Sequence, residues 1–418
     1  VLAAELQTAG VVAVFAIVYL GMFLGGLPTL KLDRAGVALL GAIAVIAITG
    51  ETVQDAARAV DLPTLVLLFA FMVVSAQLRM SGFYAALTRR VGAMPLSRPG
   101  LLAALIAVAG ALSAVFSNDV VCLAMTPVVA RLCLQRGLPP VPFLLGLACA
   151  ANIGSAATLI GNPQNMLIGS VLQLSFSGYL RQALPPVAAS LVLLWAWLAF
   201  GPGARAEPVR AAAMPPAGAE QDPAFDAWQT AKGLGVAAVL MAVFLATDWP
   251  RDVAALVGAA VLLLSRRLHS AQVVGDVDWP LLLLFIGLFV VNHALDATGL
   301  AGQAVAWLAA RGVHLAEPGP LLMVGVALSN LVSNVPAVML LLPHLQGGPS
   351  ASAGVTLALV STFAGNLLLV GSIANLIVAD LARQAGIAID WRRHAATGLP
   401  VTAGSLLLLW AWIGRCAA

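Results

Sequence analysis

Charge is what this sequence has least of. Only 9% of its 418 residues are Asp, Glu, Lys or Arg, against about 25% in an ordinary soluble domain. Too few polar side chains remain to cover a water-exposed surface. With 61% hydrophobic residues and a mean hydropathy of +0.99, most of the exterior must face lipid, which excludes a soluble domain. The net charge of +3 is too small to indicate nucleic acid as a partner. Cysteine is scarce as well. Cys122, Cys133, Cys149 and Cys416 lack metal-ligand spacing, so neither a disulfide framework nor a metal centre is expected. The N-terminus has no basic stretch ahead of its first apolar run, which reads as a retained span and not a cleaved signal. No HExxH, GxSxG or phosphate-loop pattern occurs, so neither an enzyme nor ATP-driven pumping is expected, and no cofactor.

Long apolar runs are abundant. Stretches near 9–27, 35–50, 62–80, 142–172, 183–200, 230–247, 251–265, 279–297, 353–380 and 396–413 predict ten transmembrane spans. Two further apolar stretches, 101–134 and 319–345, are each interrupted at the middle by Ser-Asn. Their halves of about 15 residues are short for crossing, so re-entrant hairpins are expected. Residues 201–227 are rich in Ala, Pro and Gly and read as a solvent-exposed linker. With the N-terminus outside, 16 of the 21 Lys and Arg fall on the inner side; Arg58, Arg181, Arg251, Arg311 and Arg415 fall outside. That bias predicts periplasmic termini in a bacterial inner membrane.

The chain repeats itself. Arg34, Ala38-Leu39 and Gly41-Ala42 match Arg251, Ala255-Leu256 and Gly258-Ala259 at an offset of 251 − 34 = 217, and the offset holds for Asp61/Asp278, Pro63/Pro280 and Gly82/Gly299. At 216, Ser117-Asn118 and Pro127 match Ser333-Asn334 and Pro343; Gly161 to Asn165 lies opposite Gly371 to Asn375. Repeat one is placed at 9–200, with a hairpin at 101–134 and a broken helix at 142–172. Repeat two is placed at 228–413, with a hairpin at 319–345 and a broken helix at 353–380. Five full crossings per repeat is an odd number, so the second copy should sit upside down. Inverted repeats are the architecture of alternating access in transporters.

Four backbone breaks at mid-membrane depth follow: Ser117-Asn118, Gly161-Asn162, Ser333-Asn334 and Gly371-Ser372. Broken backbone survives in hydrocarbon only when buried in protein or lining a cavity. Each break offers Ser or Asn as an N-cap. Four helix N-termini would therefore aim partial positive charge at one volume suited to an anion or oxyacid, while helix ends present carbonyls to a cation. Asp119, whose repeat partner is Val335, is the one carboxylate expected near mid-depth. An acid there is costly and usually functional, so Asp119 is the expected coupling residue for H⁺ or Na⁺, with a sodium site at Ser117, Asn118 and Asp119. Thr158, Gln164, Asn165, Asn366 and Asn375 are expected to bond a bound oxyacid. His293 with Asp296 reads as an interfacial contact, and Cys122 and Cys149 as packing residues.

These motifs resemble the ion-transporter superfamily that includes the arsenite-efflux family, the sodium/proton antiporters of the NhaD type and the divalent-anion/sodium symporters. Ser117-Asn118-Asp119 with Pro127 resembles the Asn-Asp hairpin tip of the arsenite-efflux branch, and Ser333-Asn334-Val335-Pro336 its second tip. Ala151-Asn152-Ile153-Gly154-Ser155 followed by Gly161-Asn162-Pro163-Gln164-Asn165 is similar to the first broken helix of that branch, which includes plant silicic-acid and arsenite exporters. The symporters usually carry Thr after Ser-Asn; Asp119 and Val335 depart from that. The resemblance implies an all-α polytopic fold, a homodimer joined through a scaffold domain, and elevator-like movement of a domain bearing both hairpins. It implies proton-coupled export of arsenite, silicic acid or a similar oxyacid. Sodium/proton antiport comes second, sodium-coupled dicarboxylate or sulfate transport third, and a passive channel last.

Overall fold

A computed structural model describes residues 2–27, 30–201, 224–345 and 350–417. Most of the expected linker, including Glu207, Glu220 and Asp222, lies outside the described residues. The first half contributes α1 (Leu2–Leu24), α2 (Arg34–Thr49), α3 (Val53–Arg58), α4 (Leu62–Met80), α5 (Phe83–Ala93), α6 (Arg98–Val115), α7 (Asn118–Gln135), α8 (Pro140–Ser155), α9 (Pro163–Val171) and α10 (Phe176–Phe200). The second contributes α11 (Ala227–Ala246), α12 (Arg251–Leu263), α13 (Ser270–Gly275), α14 (Trp279–Ala297), α15 (Leu300–Ala309), α16 (Pro318–Val332), α17 (Asn334–Leu341), α18 (Ser350–Ala364), α19 (Ile373–Gln384) and α20 (Trp391–Ala417). Among the described residues the fold is all-α apart from two paired two-residue strands, Gly26–Leu27 and Leu32–Asp33.

The matched residues of the two halves are the punctuation of this pattern. Asp61 caps α4 by accepting from Thr64 N at 2.8 Å, and Asp278 caps α14 by accepting from Leu281 N at 3.0 Å. Pro63 and Pro280 follow in the first turn, where the missing N–H costs nothing. Gly82 and Gly299 take φ of +71° and +75° and turn the chain into α5 and α15, a conformation that penalises a Cβ.

Packing repeats with the halves exchanged. Helix α2 packs on α14 while α12 packs on α4, and α6, α7 and α8 associate as α16, α17 and α18 do. Two corresponding pairs, α4 with α14 and α10 with α20, meet end to opposite end. Arg79, at the end of α4, pairs with Asp276 just before α14, its Nε donating at 2.8 Å. Helix α10 lies along α20. Trp197, late in α10, donates to Ala396 O at 3.2 Å, and Trp412, late in α20, donates to Gln182 O at 3.0 Å. These tryptophans end a pentapeptide, Leu-Leu-Trp-Ala-Trp, that occurs at 193–197 and 408–412.

Among the described residues, seven helices are long and apolar enough to cross a membrane: 4–24, 62–80, 98–115, 176–200, 227–246, 279–297 and 391–415. Of the remaining expected spans, 35–50 is a shorter apolar helix, 251–265 is the 13-residue α12, and 142–172 and 353–380 are helices broken as expected. The first hairpin differs from expectation. Both of its arms, α6 and α7, are 18 residues long, and α6 has the length of a span on its own. The helix starts at Arg98, ahead of the apolar run, because Pro99 sits in its first turn. The second hairpin is shorter, with 15 and 8 residues in α16 and α17, the latter extended by a 3-10 turn at Leu342–Leu345.

Candidate functional site

The four expected breaks converge. Ser117 separates α6 from α7, residues 156–162 separate α8 from α9, Ser333 separates α16 from α17, and residues 365–372 separate α18 from α19. The tip of the first hairpin leans on the first broken helix, Asn118 N donating to Gly161 O at 3.4 Å. Only one break gains its expected side-chain cap: Asn162 accepts from Asn165 N at 2.9 Å. Ser117, Ser333 and Ser372 make no side-chain cap bond. Ser372 is engaged elsewhere, and Ser333 sits at φ +78°, ψ 161°, a region that strains any residue with a Cβ.

At the centre is Asn152 of α8, a residue the sequence marks only as part of a motif. Its Oδ1 accepts from Asn118 Nδ2 and from Ser372 Oγ, both at 2.9 Å. Its Nδ2 donates to Asn366 Oδ1 at 2.8 Å and to Asn375 Oδ1 at 3.1 Å. One amide thereby uses both donors and accepts twice, tying the first hairpin tip to the second break. The offset between the breaks is 375 − 165 = 210, which makes Thr362 of α18 the counterpart of Asn152. Thr362 does the reciprocal job, accepting from Asn162 Nδ2 and Gln164 Nε2 at 3.2 Å each.

Both breaks share one internal design. Asn165 Nδ2 donates to Thr158 O at 2.9 Å and approaches Ser155 O at 3.4 Å. Asn375 Nδ2 makes the equivalent bonds to Leu368 O at 3.3 Å and Gly365 O at 2.9 Å. Thr158 spends its hydroxyl on Ala114 O. Gly161 is a close-approach glycine: a Cβ there would lie 2.2 Å from Ser155 O and 2.7 Å from Ser113 O. Gly161→Ala is expected to cost more than about 2 kcal/mol, because backbone and not a flexible side chain must give way; thermal melting in detergent measures it.

The expected binding residues therefore fall into two groups. Thr158, Asn162, Gln164, Ser372 and Asn375 are committed to structural bonds, as are the amides of Asn165 and Asn366. Gly161 and Gly371 contribute backbone and close approach. What stays free is a set of oxygens. Buried and without partners are Asn118 Oδ1 and Ser113 Oγ at the first hairpin, and Asn334 Oδ1, Asn330 Oδ1 and Ser329 Oγ at the second, with Asn165 Oδ1 at the first break. The Asp119 carboxylate, half-buried one residue beyond Asn118, makes no hydrogen bond or ion pair among the described residues. Asn330, Ser113 and Ser329 are not among the expected residues; Ser113 and Ser329 lie 329 − 113 = 216 apart, the offset of the hairpin tips, and that is the signal available for them.

The citrate transporter family matches residues 14–364. The chain belongs to that family. This family member is 31% identical to the silicon efflux transporter LSI3 of Oryza sativa subsp. japonica, over 90% of this chain and 91% of that protein. It is also 31% identical to the inner membrane protein YbiR of Escherichia coli strain K12, over 84% and 86%. Among solved structures, the YdaH transporter of Alcanivorax borkumensis shares the fold, with a TM-score of 0.58, 17% identity, and coverage of 99% of this chain and 98% of that one. The chain is thus a multi-pass membrane protein of the ion-transporter superfamily and a transporter of small solutes, in a family of transporters and not of enzymes.

Proposed function

We propose that this citrate transporter family member exports an undissociated oxyacid, arsenite or silicic acid, in exchange for protons across a bacterial inner membrane. The observation that carries this reading is the set of unpaired oxygens at the two hairpin tips and the first break. Leaving a buried acceptor unpaired costs about 1–3 kcal/mol. Oxygens kept so suit a cargo rich in hydroxyl donors, and both acids are undissociated near neutral pH. Among the described residues, no Lys or Arg side chain hydrogen-bonds to the residues bearing these oxygens, which counts against a citrate trianion or a dicarboxylate dianion needing charge neutralisation. The likeness to a silicon efflux transporter adds support.

In this reading Asp119 carries the proton. The two halves act as inverted repeats around the breaks, both termini periplasmic, with elevator movement in a homodimer. The antiparallel α10 and α20 and the exchanged packing of α2, α4, α12 and α14 support the inversion. A second reading, sodium/proton antiport, is favoured by Asp119 beside the free Asn118 Oδ1, an oxygen set a sodium ion would accept.

The test is accumulation of arsenite, and separately of silicic acid, by inside-out vesicles under an inside-acid gradient. Uptake driven by the gradient, unaffected by excess citrate and showing trans-stimulated counterflow, is the expected result. Counterflow separates a carrier from a channel. Failure of both acids, in vesicles whose pH gradient collapses on adding sodium, overturns export in favour of antiport.

A further inference from the structure

The two breaks are each braced by one side chain from the following long helix. Tyr179 Oη of α10 donates to Ala156 O at 2.8 Å, the first carbonyl beyond α8. His394 of α20 bonds Asn366 O at 2.9 Å, within the break that follows α18. Ala156 and Asn366 are counterparts at the offset of 210, and Tyr179 and His394 are counterparts at 394 − 179 = 215, the offset of the repeated Leu-Leu-Trp-Ala-Trp. Both braces are buried, at 2% and 1% exposure. A carbonyl only accepts, so His394 Nε2 donates in this bond, and in a neutral imidazole the lone pair is then on Nδ1.

We infer that Tyr179 and His394 are a matched pair of positioning residues that hold the two broken helices in their cargo-binding geometry. The braces differ in completeness. Tyr179 Oη also accepts from Asn165 Nδ2 at 3.0 Å, so it is saturated and locks the first break to its own asparagine. His394 Nδ1 has no partner. The amide of Asn366 completes its bonding only with a 3.4 Å contact to Cys149 O. From α20 the second break receives this one strong bond, beside the bonds from Asn152 to Asn366, Ser372 and Asn375, and loss of the α20 bond loosens the segment that carries Asn366, Gly371 and Ser372. Space for another brace is limited: a Cβ on Gly398 would lie 2.2 Å from Asn366 O and 3.1 Å from His394 Nε2.

The inference rests on the carrier reading only for its transport readout, so two measurements are needed. In proteoliposomes of the full chain, Ser372→Cys is labelled with a membrane-permeant maleimide, with the parent chain as the control for the buried Cys122, Cys133 and Cys149 and for Cys416. His394→Leu is expected to raise that labelling rate at least about fivefold. His394→Gln, whose amide can occupy the position of Nε2, is expected to restore it. In parallel, arsenite counterflow is expected to show a half-saturation at least about tenfold higher for His394→Leu, with the maximal rate changed less, and near parental for His394→Gln. A residue that only fills space would move melting temperature alike in both variants and leave labelling and half-saturation alone, and that outcome overturns the inference. Altered labelling without arsenite exchange by any protein, parent included, supports the positioning role and sinks the arsenite reading instead.

Discussion

Asp119→Asn is expected to abolish gradient-driven accumulation while leaving cargo exchange in place. The amide keeps the size and acceptor oxygen of the side chain but has no proton to load and release, so an inside-acid gradient no longer does work on the carrier. Accumulation in inside-out vesicles should fall at least about tenfold, towards the leak rate, while counterflow of the same acid stays within a few-fold of the parent. The reasoning depends on Asp119 being unpaired. A carboxylate already held by an Arg would be structural, and its loss would show in folding; this one has no such partner among the described residues. Equal loss of exchange and accumulation would assign Asp119 to cargo binding. Full gradient-driven accumulation by the variant would remove it from the coupling path.

The second large effect is expected at Asn152. Replacing it with Ala leaves Asn118 Nδ2, Ser372 Oγ, Asn366 Oδ1 and Asn375 Oδ1 each short of a partner in one buried place. Each such group costs about 1–3 kcal/mol, and neighbours sharing one hole do not add fully, so a loss of about 4 kcal/mol is expected. Asn152→Asp tests the polarity of the hub. It keeps the acceptor and turns the donor side into an oxygen facing two other oxygens, so it should be no better than Ala. Thr362→Val is the milder counterpart, since Asn162 retains its bond to Ser155 Oγ at 2.9 Å, and about 1–2 kcal/mol is expected. Equilibrium unfolding of the three variants in one detergent compares them. A Thr362 variant as damaging as the Asn152 variant would contradict the unequal bonding described here.

Much of this protein could be read without coordinates. Lipid exposure follows from composition alone, because the ratio of charged to apolar side chains limits what can face water. The matched punctuation of the two halves and the four helix breaks are also legible. Asp-x-Pro starts, left-handed glycines and Ser-Asn or Gly-x-x-x-Asn interruptions act within about one turn of helix, so each declares itself locally and recurs at a matched position. The full length of α6 is not legible in this way, because an apolar run marks what faces lipid, whereas helix bounds are set by caps and prolines beyond it. The tertiary structure alone decided the wiring. Asn152 finds its partners 34, 214, 220 and 223 residues away, and His394 reaches a carbonyl 28 residues back. A polar residue in an apolar segment announces that it must be satisfied, but not by what. The oxygens left for cargo are those remaining after all the internal bonds have formed, so only the complete fold, with every donor assigned, distinguishes the free Asn118 Oδ1 from the committed Asn152 Oδ1.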